Sequence, residues 1–176
     1  MKAIALAAAI AATTCTSIAM AQTPTLEDRA AIIDVITDIA AGADRHQWDR
    51  VRAAFADTVT LDYTSLWGGA PSTLSAEDVV EQWSGLLPGF DTTQHLVTNH
   101  AISTTAADAA VAEADFQAAH RLGGEMWILM GRYHYDLVKR DGSWRITRLV
   151  MTWTHESGDR GLVEKAVSPH FPVCRS

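Results

Sequence analysis

Apolar residues recur along this chain with two different periods, and the change of period separates a helical first part from a strand-rich second part. Leu26, Ile33, Ile36 and Ile39-Ala40 follow helical spacing as far as Gly42, and Thr25 with Asp28 forms a capping box at the start. Trp48, Val51 and Phe55 fall on one side of a second, shorter helix. Val59, Leu61 and Tyr63 then alternate with Thr58, Thr60 and Asp62, the pattern of a half-buried strand. Gly68-Gly69-Ala70-Pro71 breaks that strand. Ser75 and Asp78 cap a third helix, which carries Val79, Val80 and Trp83 and stops near Pro88.

Beyond Pro88 the period is two. Strands are predicted over 95–103, 109–122, 125–140 and 143–155, with Asp141-Gly142 as a hairpin turn between the last two. In the second of these, Ala112, Ala114, Phe116, Ala118 and His120 share an apolar face opposite Glu113, Asp115 and Gln117. In the third, Leu129, Gly131, Tyr133 and Tyr135 oppose Arg132, His134 and Asp136, which form a polar outer face or a subunit contact. Three helices followed by a four-stranded antiparallel meander specify an α+β fold, its helices covering one face of a curved, mostly antiparallel sheet.

The ends read differently. Lys2, the apolar run Ala3 to Ala12 and the small-residue site Ala19-Met20-Ala21 make residues 1–21 a secretory signal peptide, with Gln22 as the expected mature start and residues 22–176 as one domain. The expected location is therefore periplasmic or secreted. Cys15 leaves with the signal, so Cys174 remains as a single thiol and no internal disulfide is expected. The formal net charge is −7, without basic clusters, which argues against nucleic acid or an anionic membrane as partner. The tail with Pro169 and Pro172 reads as extended.

Chemistry concentrates on few residues. Asp44 ends the first helix, where its charge opposes the macrodipole and needs compensation. His95 opens the first strand of the meander, with Val97 and Asn99 on its face. A carboxylate that fixes one tautomer of an imidazole makes it a general base near neutral pH, and one pocket has room for both residues. A solvated turn residue and a half-exposed strand histidine are the plainer alternatives. His120 closes a face of small residues, where a buried polar ring requires a partner, and Tyr63 can direct its hydroxyl inward. Seven histidines are present, but none has compact metal-ligand spacing, and no phosphate loop, nucleophile elbow or Cys-x-x-Cys occurs. Neither a metal nor a cofactor is expected.

Several strings carry a family resemblance. They are Gly42-Ala43-Asp44-Arg45-His46-Gln47-Trp48-Asp49, the pair Asp62-Tyr63, Thr93-Gln94-His95-Leu96-Val97-Thr98-Asn99, Gly131-Arg132-Tyr133-His134-Tyr135-Asp136 and Arg140-Asp141-Gly142-Ser143-Trp144-Arg145-Ile146. Together they resemble the SnoaL-like branch of the nuclear transport factor 2-like superfamily, which implies a cone-shaped barrel. The nearest functional pattern is that of scytalone dehydratase and hexachlorocyclohexane dehydrochlorinase. That resemblance places an Asp–His dyad on Asp44 and His95, with dehydratase-like assisting groups at Tyr63 and His120. Leu149 stands near the position of the dehydrochlorinase arginine, and Ala43 stands where the dehydratase has a second pocket tyrosine.

The resulting expectation is a cofactor-independent lyase, of dehydratase or dehydrohalogenase type, acting on a small cyclic apolar substrate. Leu61, Asn99, Phe116, Leu129, Tyr133, Leu149 and Met151 are the expected substrate-binding residues. An exported non-catalytic binding module, and an isomerase or polyketide-cyclase-like enzyme using the same dyad, are the alternatives. A homo-oligomer is expected, a trimer or dimer, the trimer by resemblance.

Overall fold

The computed structural model describes residues 22–167, so the expected signal peptide and the tail bearing Pro169, Pro172 and Cys174 lie outside the described residues. Helix α1 covers Leu26–Asp44. Its cap forms as the sequence predicts, with the Asp28 amide donating to Thr25 Oγ1 at 3.0 Å. Asp28 does more than cap: its Oδ1 also accepts from Lys139 Nζ at 2.7 Å and from the Trp144 indole at 2.8 Å, docking the helix start on the far end of the sheet. Leu26, in the first turn, stays 81% exposed, and the buried stripe runs through Ile32, Ile36, Ile39 and Ala43. Ile32 rather than Ile33 faces the core. The helix closes with the Gln47 amide bonded to the Gly42 carbonyl at 2.8 Å and His46 at φ 54°, a left-handed terminating turn.

Helix α2 (Trp48–Ala54) leads into strand β1 (Phe55–Asp62), so Phe55 opens the strand instead of closing the helix. Tyr63 lies outside β1. The Asp62 carboxylate accepts from the Thr64 amide at 3.1 Å and its hydroxyl at 2.6 Å, which turns the chain into a one-turn helix, α3 (Thr64–Trp67). Strand β2 (Ser72–Ser75) follows, too short to show a hydrophobic period. Helix α4 (Ala76–Leu86) is capped by Ser75, whose Oγ accepts from the Asp78 amide at 3.1 Å, and a 3-10 turn over Leu87–Gly89 ends it.

Strands β3 (Thr92–Ala106), β4 (Ala109–Leu122), β5 (Glu125–Arg140) and β6 (Ser143–Gly158) make the meander, and α5 (Leu162–Ala166) follows. The Asp141-Gly142 turn has φ of 49° and 77°, the left-handed pair of a type I′ hairpin. The full sheet has six strands in the order β2-β1-β6-β5-β4-β3, open, curved and antiparallel except where β1 runs parallel to β6. The fold is thus α+β, with the helices on one face.

Two buried clusters fill the space between helices and sheet. One gathers Ile32, Ile36, Val51, Val59, Trp144 and Ile146, among others; the second includes Leu66, Phe90, Phe116, Trp127, Met151 and Leu162. Burying each such side chain contributes about 1.5–3 kcal/mol. Tyr63, Val97 and Tyr133 pack against both clusters, and the functional site lies at that junction. Arg132, His134 and Asp136 lie on the other face of β5, with contacts at 3.7 Å from Arg132 to Asp115 and 3.3 Å from His134 to Asp136.

Candidate active site

Asp44 is the last residue of α1, and three donors converge on its carboxylate. His95 Nδ1 lies 2.6 Å from Oδ1, Thr93 Oγ1 donates to the same oxygen at 2.8 Å, and the His95 amide donates to Oδ2 at 2.7 Å. This supplies the compensation that a negative charge at a helix C-terminus needs. Thr93 and His95 reach the carboxylate together because they are two residues apart on one face of β3. Burial raises the Asp44 pKa, but the hydrogen bonds and charge of His95, with the Thr93 hydroxyl, outweigh it and hold the carboxyl below its ordinary range. An ionised carboxylate only accepts, so His95 donates from Nδ1 and leaves Nε2 as the ring nitrogen that Asp44 does not engage.

His95 lines a cavity of about 170 Å³ between α1, α4 and the inner face of β3 to β6. The wall is apolar: Ile36, Leu129, Leu149 and Met151 contribute from the core, and Phe90, Trp83, Trp127 and Trp67 contribute rings. Its polar groups include the hydroxyls of Tyr63, Tyr133 and Tyr135 and the two imidazoles of His95 and His120, and among the described residues no Lys, Arg, Asp or Glu lines it. Burial raises all three tyrosine pKa values, with the Asp44 charge adding to the rise at Tyr133, so these hydroxyls stay protonated and available as donors.

His120 is 5% exposed, and its Nδ1 is buried without a hydrogen-bond partner among the described residues. Its ring stands edge-on to His95, with centroids 5.4 Å apart and planes at 89°. It also packs on Trp127 at 4.6 Å and Phe90 at 5.0 Å. Burial, with the neighbouring His95, pushes the His120 pKa down to about 4, so the ring is neutral at physiological pH.

The structure therefore brings Asp44, His95, His120 and Tyr63 to one place, and Leu129, Tyr133, Leu149 and Met151 form part of the wall. Three residues read as substrate contacts stand elsewhere. Leu61 is buried in the core under the helices. Phe116 lies behind the wall, stacked on Tyr133 with centroids 4.2 Å apart and planes at 20°. Asn99 is exposed, because a bulge between Thr98 and Ala101 and a φ of 57° turn its side chain outward to Asp115 at 2.9 Å. Sequence reasoning missed Thr93, although period two from His95 points to it. It also missed Trp67, Trp83 and Phe90, which periodicity alone cannot place at a cavity.

Comparison with known proteins identifies the family and the fold. Residues 24–150 match the SnoaL-like domain family. The chain is similar in structure to protein Kfla4162 of Kribbella flavida, with 26% identity over 81% of this chain and 98% of that one and a TM-score of 0.71. It is similar to a type 2 hexachlorocyclohexane dehydrochlorinase, LinA, with 22% identity over 77% and 91% of the two chains and a TM-score of 0.67. It is also similar to a scytalone dehydratase-like protein of Novosphingobium aromaticivorans, with 22% identity over 86% and 96% and a TM-score of 0.66. No curated protein matches the chain. The matched family model establishes that the chain belongs to the SnoaL-like domain family, and its fold is the one these proteins share.

Proposed function

We propose that this protein is a cofactor-independent lyase, of dehydratase or dehydrohalogenase type, that begins by removing a proton from carbon. The observation that carries the proposal is the 2.6 Å contact between Asp44 and His95 Nδ1 at the wall of an apolar cavity. His95 Nε2 accepts the proton, and Asp44, held ionised, stabilises the imidazolium that results. Such a base supplies about 10²- to 10⁴-fold, and the remaining acceleration comes from positioning and from donors aimed at the charge that develops. Tyr63, still protonated, donates to the oxygen or halide that gains charge, and His120 lies beside His95 to contact the same group. The substrate is a small cyclic apolar molecule, since the cavity offers no fixed charge to bind an ion.

The test is a screen of cyclic β-hydroxy ketones and halogenated rings with purified protein, followed by kinetics of His95→Gln on whichever compound reacts. Loss of nearly all turnover, with the circular dichroism spectrum unchanged, is expected. Turnover at the wild-type rate by folded His95→Gln would remove His95 as the base.

A further inference from the structure

The cavity has a definite mouth. Of the residues that line it, Trp67 is the exposed one, at 52% of its surface, while the others are buried or half-buried. An exposed tryptophan on a one-turn helix is ordinarily loose, but this one is fixed on several sides. The Arg160 guanidinium sits over its ring, 5.3 Å from the centroid, and the ring meets Trp127 at 6.2 Å. Arg160 Nη1 donates to the Leu66 carbonyl at 3.1 Å, and Ser65 Oγ donates to the Met151 carbonyl at 2.6 Å. Arg160 grips Glu156 through Nε at 2.6 Å and through Nη2, and Glu156 accepts from the Trp127 indole at 2.6 Å. The cation is therefore neutralised outside the cavity, and what it contributes inward is the position of a ring. Gly68 and Gly69 follow at φ of 72° and 76° with open space around them, so α3 ends sharply, and Trp67 keeps its exposure among the described residues.

We propose that Trp67, latched by Arg160, is the specificity-determining wall at the mouth and restricts the ligand to a single neutral ring bearing a hydroxyl. The volume supports one ring: about 170 Å³ here, against the roughly 150 Å³ that admits benzene in an engineered apolar cavity. The polar groups support a hydroxyl. His95 presents its second ring nitrogen and the tyrosines present hydroxyls, groups that exchange hydrogen bonds with an O–H group, whereas no charged side chain among the described lining residues meets a fixed charge. This inference rests on the cavity being the ligand site, as in the proposed function, but not on the dyad's chemistry.

The experiment measures binding rather than turnover, so it can fail while the dyad stands. Full-length protein is titrated with phenol and with 2-naphthol, following quenching of tryptophan fluorescence. The wild type is expected to bind phenol saturably and 2-naphthol at least tenfold more weakly. Trp67→Ala should erase that preference, Trp67→Phe should retain most of it, and Arg160→Met, which keeps the stem and loses the charge, should relax it part of the way. Circular dichroism checks each fold, and Trp67→Leu reads the same ratio if Trp67→Ala does not fold. An unchanged ratio in the folded Trp67 variant, or no saturable binding of either phenol to the wild type, overturns the proposal.

Discussion

Lowering the pH from about 7.5 to about 5 should cost this protein about 2 kcal/mol of stability through His120 alone. In the folded chain the ring sits 5% exposed among Phe90, Trp127 and His95, and burial brings its pKa from 6.5 down to about 4. Above the unfolded value both states hold the ring neutral, and it contributes nothing to the pH dependence. As pH falls below that value the unfolded chain takes up a proton that the folded chain refuses, so stability declines until the folded value is reached. The full difference is about 3 kcal/mol, of which about 2 is already lost at pH 5. Asp44, with a pKa below its ordinary 3.8, remains ionised in both states through most of this window. Urea unfolding followed by circular dichroism at the two pH values, on the wild type and on His120→Phe, isolates the contribution. The phenyl ring keeps the aromatic packing and cannot titrate, so the variant should lose about 2 kcal/mol less than the wild type between the two conditions. Equal losses in the two proteins would show that the folded state accommodates the imidazolium, and the assignment of a neutral His120 would fall.

At the dyad, Asp44→Asn should lower turnover severely, and the double variant with His95→Gln should be little worse than His95→Gln alone, because residues acting as a unit are non-additive; rate constants of the three proteins decide this. Gly131→Ala should destabilise the fold by about 1–3 kcal/mol in urea unfolding. A Cβ there would stand 2.1 Å from the Thr152 carbonyl oxygen and 2.8 Å from the Trp153 Cα, and a variant as stable as the wild type would contradict that geometry. Intact-mass analysis of secreted or periplasmic protein should begin at Gln22; retention of Met1, or lipid on Cys15, would end the export reading. Light scattering at micromolar concentration should give a dimer or trimer, and a monomer mass would count against the homo-oligomer.

The long elements were legible because their residues obey one period for many positions. The alternation from Ala112 to His120 is the buried face of β4, and β4 and β5 end where turn chemistry ends them. Helix starts were legible through Thr25 and Ser75, whose caps use local hydrogen bonds. What escaped was set by neighbours in space. Leu26 satisfies helical spacing but precedes the point where α1 meets the sheet. Asn99 satisfies strand spacing until a bulge reverses it. Tyr63 was read on a strand that Asp62 terminates, yet it still reaches the cavity wall. Asp44 and His95 were readable as a pair by resemblance, while Thr93, which completes the carboxylate's coordination, shares the strand face of His95 by period two but shows its role only beside the end of α1.

The parallel pairing of β1 with β6 fixes when this sheet can be completed. Leu61 pairs with Leu149 and Asp62 with Val150, so an early strand waits for the last one before it gains its inner neighbour. Until β6 arrives, β1 has only the short β2 beside it, and the chain must close a long loop before that contact rewards it. Tyr63 and the Asp62 turn hang from the end of β1, so the cavity wall is assembled at the same late moment as the sheet. Synthesis of the N-terminal helices alone therefore cannot produce a closed ligand site.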